Sequence, residues 1–136
     1  MILKSIFTCL LTFILISSTI AQNKITEKLI GRWEGIDNKK EFGGFDIIDS
    51  VNIILSIPDQ QLPPGTYYVD TTKNPIWFDV TIGDKTAPTL KGLIAFIDER
   101  TIKWQIFLDG KRPDKFIKET GDNTMTLKKK YPKSSN

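Results

Sequence analysis

No histidine occurs anywhere in the 136 residues, and the one cysteine, Cys9, sits in the apolar start of the chain. Without these two residue types there is no Ser-His-Asp or Cys-His nucleophilic site and no usual zinc or copper ligand set. A carboxylate-only calcium site needs acids clustered at loop spacing, and Asp98-Glu99 and Asp46 with Asp49 are too sparse for it. A Gly-rich phosphate cradle is also missing, because Gly43-Gly44 precedes a strand-like run instead of joining a strand to a helix. Charge of one sign is scarce: 19 Lys and Arg face 16 Asp and Glu, a net +3. The basic residues gather at Lys128, Lys129, Lys130 and Lys133, which reads as a solvated strand end and tail, not as a nucleic-acid arm. A glycosidase-like pair drawn from Asp70, Asp79, Asp98 and Asp114 is the one catalytic arrangement left. Acidic turn residues in β proteins more often serve as caps and surface charges, so the expectation is no catalysis, no cofactor and no metal.

Long hydrophobic runs are lacking as well. Ile6 to Ile16 is apolar apart from Thr8, Cys9 and Thr12, short of the roughly 20 residues that span a bilayer. Lys4 precedes it, and Ser17, Ser18 and Thr19 follow, with Thr19 and Ala21 as small residues before Gln22. That is the pattern of a cleaved secretory signal over residues 1–21. Cys9 lies inside the apolar stretch, where a lipidated cysteine does not belong. The expected location is extracytoplasmic, periplasmic or secreted, with membrane contact only through the signal. The mature chain then has no cysteine, and its core must hold it without disulfides; at this length a domain buries roughly two thirds of its unfolded surface. Residues 22–130 read as one domain and 131–136 as a disordered tail.

What is present is alternation. A short helical turn starts near Asn23, with Ile25, Leu29 and Ile30 on one face and Gly31 closing it. Gly31 to Ile36 reads as a strand. Phe45, Ile47, Val51, Ile53, Leu55 and Ile57 occupy odd positions in one strand or two, bent near Asp49-Ser50. Further strands follow at Thr66 to Asp70, Ile76 to Ile82, Leu90 to Asp98, Ile102 to Leu108, a short one at Phe116-Ile117, and Met125 to Leu127. Leu93 to Ile97 is apolar on both faces, which requires cover on both. Turns are expected at Asp70 to Pro75, Asp98 to Thr101, Asp109-Gly110 and Gly121 to Asn123. About eight short strands joined by short connections predict an all-β, antiparallel up-and-down barrel, since closure removes the edges. A barrel of that size either fills with its own side chains or holds one small ligand.

Two features resemble a known family. Gly31-Arg32-Trp33 after a helical turn is similar to the G-x-W signature of lipocalins, whose tryptophan seals the closed end of the barrel. Tyr68, Asp70, Lys73, Pro75 and Asp79, then Gly92 to Asp98, then Gly110, Arg112, Pro113 and Phe116, resemble small bacterial lipocalin-like domains with no established activity. The resemblance implies a calycin-type barrel outside the cytoplasm. It also implies an arginine from the last strand packed across the tryptophan. Thr124 to Lys130 offers only lysines, a departure for which Arg112 is the candidate substitute.

Read by its own chemistry, Lys73-Asn74-Pro75 is a turn, Asp70 a turn cap, and Asp79 a partner for Lys73 or Arg112. Phe45, Phe78, Val80, Phe96, Trp104 and Ile106 are the candidate interior, lining a pocket or filling it. The leading expectation is a binding protein for a small apolar or amphipathic ligand. The alternative is a solid barrel that inhibits or assists another exported protein, through the loops Asp37 to Gly44 and Asp59 to Gly65 with Trp77 as an anchor.

Overall fold

A sheet whose strands alternate apolar and polar residues buries its apolar face only by packing on another layer or by curling onto itself. The computed structural model, which describes residues 22–37, 40, 42–57, 60, 62–108, 111–118 and 123–131, takes the second course. Eight strands follow one short helix, α1, at residues 22–29. They are β1 (Gly31–Asp37), β2 (Phe42–Ile47), β3 (Asn52–Ser56), β4 (Gly65–Asp70), β5 (Ile76–Ile82), β6 (Leu90–Asp98), β7 (Thr101–Phe107) and β8 (Thr124–Lys129). Each pairs antiparallel with its sequence neighbour, and β1 pairs with β8 from Trp33↔Lys129 to Asp37↔Met125, closing an up-and-down barrel.

The odd-position run divides into β2 and β3, with the bend at Asp49-Ser50 forming a hairpin turn. Asp49 accepts the backbone N–H groups of Val51 and Asn52, both at 2.8 Å. Phe45, Ile47, Ile53 and Leu55 face the core, while Val51, in the turn, is exposed. The helical turn expected to start near Asn23 begins one residue earlier, at Gln22.

The short strand expected at Phe116-Ile117 is not formed. Residues 111–118 are irregular and lie against the outside of the barrel. The reason is Gln105, which points outward from β7 and is fully buried. Its Oε1 accepts the N–H of Ile117 at 3.0 Å, and its Nε2 donates to the Ile117 carbonyl at 3.1 Å and to Thr124 Oγ1 at 2.9 Å. One side-chain amide thus does the work of a strand partner, and no ladder is needed. Leu93, outward on β6, sits in register between Trp77 and Gln105 and is fully buried, but Ile97 further along the same outer face is 59% exposed, so the two-faced apolar run is covered at its start and not at its end.

The main core is inside the barrel. Phe45 stacks on Phe78 at 5.3 Å between centroids, Trp104 meets Phe45 edge-on at 5.0 Å and Phe78 at 6.1 Å, and Tyr67 packs on Phe78 at 5.7 Å. Gly92 admits the Trp104 indole: a Cβ there would stand 2.7 Å from Nε1. The signal assigned to residues 1–21, the turns at Asp109-Gly110 and Gly121-Asp122, and the tail beyond Tyr131 lie outside the described residues.

Candidate functional site at the open end

Strand direction gives the barrel two unlike ends. The turns 48–51, 71–75 and 99–100, together with α1, gather at one; from the other leave the connections between β1 and β2, β3 and β4, β5 and β6, and β7 and β8, of which the last three are longer.

The first end is plugged. Trp33 is fully buried and donates from Nε1 to the Leu29 carbonyl at 2.8 Å, tying the plug to α1. Phe96 meets it edge-on at 6.4 Å. The cation over its ring is Lys129, with Nζ 5.4 Å from the centroid and donating to the Lys28 carbonyl at 2.8 Å. Arg112, the candidate substitute, is elsewhere, so the place in which the lipocalin resemblance puts an arginine is taken by a lysine of the last strand. Gly31 makes room for it: its φ is +121°, and a Cβ would stand 3.1 Å from Lys129 Cε. Burial pushes the Lys129 ammonium pKa down, and neighbouring Arg100 pushes it the same way.

Arg112 instead closes a small second core outside the barrel. Its guanidinium lies 3.7 Å from the Trp77 ring centroid and pairs with Asp79, with both charged side chains largely buried. Lys73 Nζ approaches the same ring at 4.8 Å. Asp79 therefore pairs with Arg112, of the two partners expected. Asp70 caps its turn through the N–H of Thr72 at 3.0 Å, Pro75 is half-buried in that turn, Pro113 is half-buried beside Arg112, and Tyr68 is exposed across from Asp79.

Toward the second end the interior is unfilled. A cavity of about 480 Å³ lies between Gly43, Leu55, Leu90, Ile106 and Met125, with Trp104 also in its lining and Phe42, Ile57, Gln60, Leu108 and Asn123 toward its mouth. Among the described residues, none of those that line it is charged. β3 and β4 pair at Asn52↔Thr66 and Ile53↔Gly65, where β4 begins, and Leu55, Ser56 and Ile57 beyond the paired stretch line the cavity. Of the candidate interior, Trp104 and Ile106 line the cavity. Phe45, Phe78 and Val80 are packed core beneath or beside it, and Phe96 belongs to the plug. Tyr67 donates its hydroxyl to the Asp49 carbonyl at 2.8 Å; burial raises its pKa and the Asp49 charge adds to that.

Sequence reasoning missed Gly43, Leu55, Leu90 and Met125. The available signal was Gly43: a glycine at an inward strand position brings no side chain of its own to fill the barrel at that depth.

Fold and site together define a closed eight-stranded barrel, plugged at one end and hollow at the other, whose hollow is apolar and within the 300–1,000 Å³ range usual for small-molecule sites. The chain matches no family model, no curated protein and no solved structure.

Proposed function

We propose that this protein is an exported lipocalin-like binder of a small apolar or amphipathic ligand, which it holds without catalysis in the open half of its barrel. The observation that carries the reading is the uncharged cavity of about 480 Å³ above Trp104. Filling it removes apolar surface from water on both partners, at about 25 cal/mol per Å². The Gly31-Arg32-Trp33 plug with its cation supports the lipocalin-like assignment, and the pattern of residues 1–21 supports export. The solid-barrel alternative fits less well. The interior is not filled, and Trp77, its proposed anchor, is already covered by Arg112.

Tryptophan emission tests the binding. Trp33 and Trp77 lie outside the cavity lining, so an occupant should change the signal of Trp104 alone, and Trp104→Phe should lose the response. If no lipophile moves the emission and a native mass spectrum of the purified protein shows nothing carried along, the reading fails. An intact mass beginning at Gln22 in the extracytoplasmic fraction checks the export.

A further inference from the structure

The floor of the cavity says how long its occupant is. Above the aromatic layer of Phe45, Phe78 and Trp104, few inward positions remain: Ile106 on β7 and then the rim at Leu108 just past its end, Gly43 on β2, Leu90 on β6. From Trp104 to Leu108 a strand rises about 13 Å. With the usual barrel tilt of 35–45°, the axial depth is roughly 10 Å. Long acyl tails need more than that. One leaflet of a bilayer, filled by such tails even when disordered, is roughly 15 Å thick. The lower half of the barrel offers no extension, because Phe45 and Phe78 are fully packed there and Trp33 seals the end behind them.

The lining adds a second restriction. Its described residues include no charged side chain, and the polar ones, Ser56, Gln60 and Asn123, belong to the strand ends and loops of the open end. A charged head carried to the floor would lose its water with nothing to replace it.

Resting on the binding reading above, we infer that the ligand is a compact amphiphile: a short chain or single ring system that ends on Trp104, with its polar head left at the mouth. Long-chain lipids are excluded by the Phe45–Phe78–Trp104 floor.

Calorimetric titration of the full mature protein with the n-alkanols from hexanol to dodecanol, and with palmitate, tests it. Affinity should rise about fourfold per methylene while the chain still lengthens within the cavity. It should then level off or fall before dodecanol, with palmitate no tighter than the best short alkanol. Octanoate should bind no tighter than octanol. Trp104→Leu lowers the floor and should move the break to longer chains. That variant also removes an indole N–H that is buried without an acceptor, which offsets part of the lost packing. Phe45→Leu gives the same readout from the opposite wall, should the first variant fold poorly. Affinity that keeps climbing to palmitate in the wild-type protein overturns the floor and leaves the binding reading standing. No binding by any probe of the series, with no native ligand in the mass spectrum, takes down the binding reading itself.

Discussion

At one end of the barrel the chain reverses in tight turns, and an aspartate caps each of them. Asp49 accepts the N–H of Val51 at 2.8 Å, Asp70 that of Thr72 at 3.0 Å and Asp98 that of Arg100 at 2.8 Å. Behind these turns Trp33 and Leu29 are fully buried, and Phe96 packs edge-on against Trp33. At the other end three of the four connections are longer, Leu55 to Ile57 lie beyond the stretch where β3 pairs with β4, and Phe42, Ile57 and Leu108 stand exposed around a cavity. The same eight strands run through both ends. The contrast teaches that stability is concentrated where the strands are tied by short turns and a plug, and that the space for a ligand is left where they are not. A filled open end would be more stable and would have no room to bind.

The largest test of that division is Trp33→Ala. Removing a fully buried indole should cost about 3–5 kcal/mol in urea unfolding. Leu108→Ser, at the open rim, should stay within about 0.5 kcal/mol. Equal losses would end the comparison. Arg112→Ala comes next: it strips a buried partner from Asp79 and uncovers Trp77, and should cost roughly 2–4 kcal/mol. Arg112→Lys should recover little of this, since an ammonium neither stacks nor forks as a guanidinium does.

Gly43→Val acts on the other quantity. A Cβ at this position meets the flexible Met125 methyl at 3.0 Å and the Ser56 carbonyl oxygen at 3.3 Å, so the fold should give way by about 1–3 kcal/mol while ligand affinity falls at least tenfold. If binding persists, the cavity is not the site. Lys129→Met should cost about 1 kcal/mol through the lost contact with Trp33. Lys129→Arg should keep that contact and the stability with it.

The smallest effect is acid sensitivity. The carboxyls of Asp49, Asp70 and Asp98 are held below the usual 3.8, chiefly by hydrogen bonds from Asn52, Thr72 and the Arg100 N–H respectively. Their folded pKa values lie below the unfolded ones, so the unfolded chain binds more protons as pH falls. The stability these caps supply is present above about pH 3.8 and is lost as pH drops from there through the folded values. Replacing all three with Asn should flatten the acid limb of a stability-against-pH curve. An unchanged limb would show that the caps do not matter.

Much of the closed end was legible residue by residue. Gly31-x-Trp33, the apolar positions of α1 and the capping aspartates act through near neighbours in the chain, so their pattern carries their role. Lys129 was harder to foresee, because its place over Trp33 depends on β8 meeting β1, a contact 96 residues apart in sequence (129 − 33). Arg112 was legible as a partner for Asp79. Its stacking on Trp77 was not, because it arises from a segment that crosses three strands without forming one. Gln105 shows why that segment misled: alternation marks it as an outward polar residue, and nothing local says that its amide replaces a β-ladder.

Period-two hydrophobic patterning and short connections pointed to an antiparallel barrel of about eight strands, since each strand's burial depends on its own alternation, but they left Phe45 to Ile57 as one strand or two and added a strand at Phe116-Ile117 that is not formed. Whether that barrel would be full or hollow is a matter of how tilted strands bring side chains of unlike size to the same depth. Phe45, Phe78 and Trp104 converge in the middle, while above them Leu55, Leu90 and Ile106 leave a cavity even though Met125 reaches over Gly43. Volume in a closed barrel is a sum over eight strands at once, and no single stretch of chain contains it.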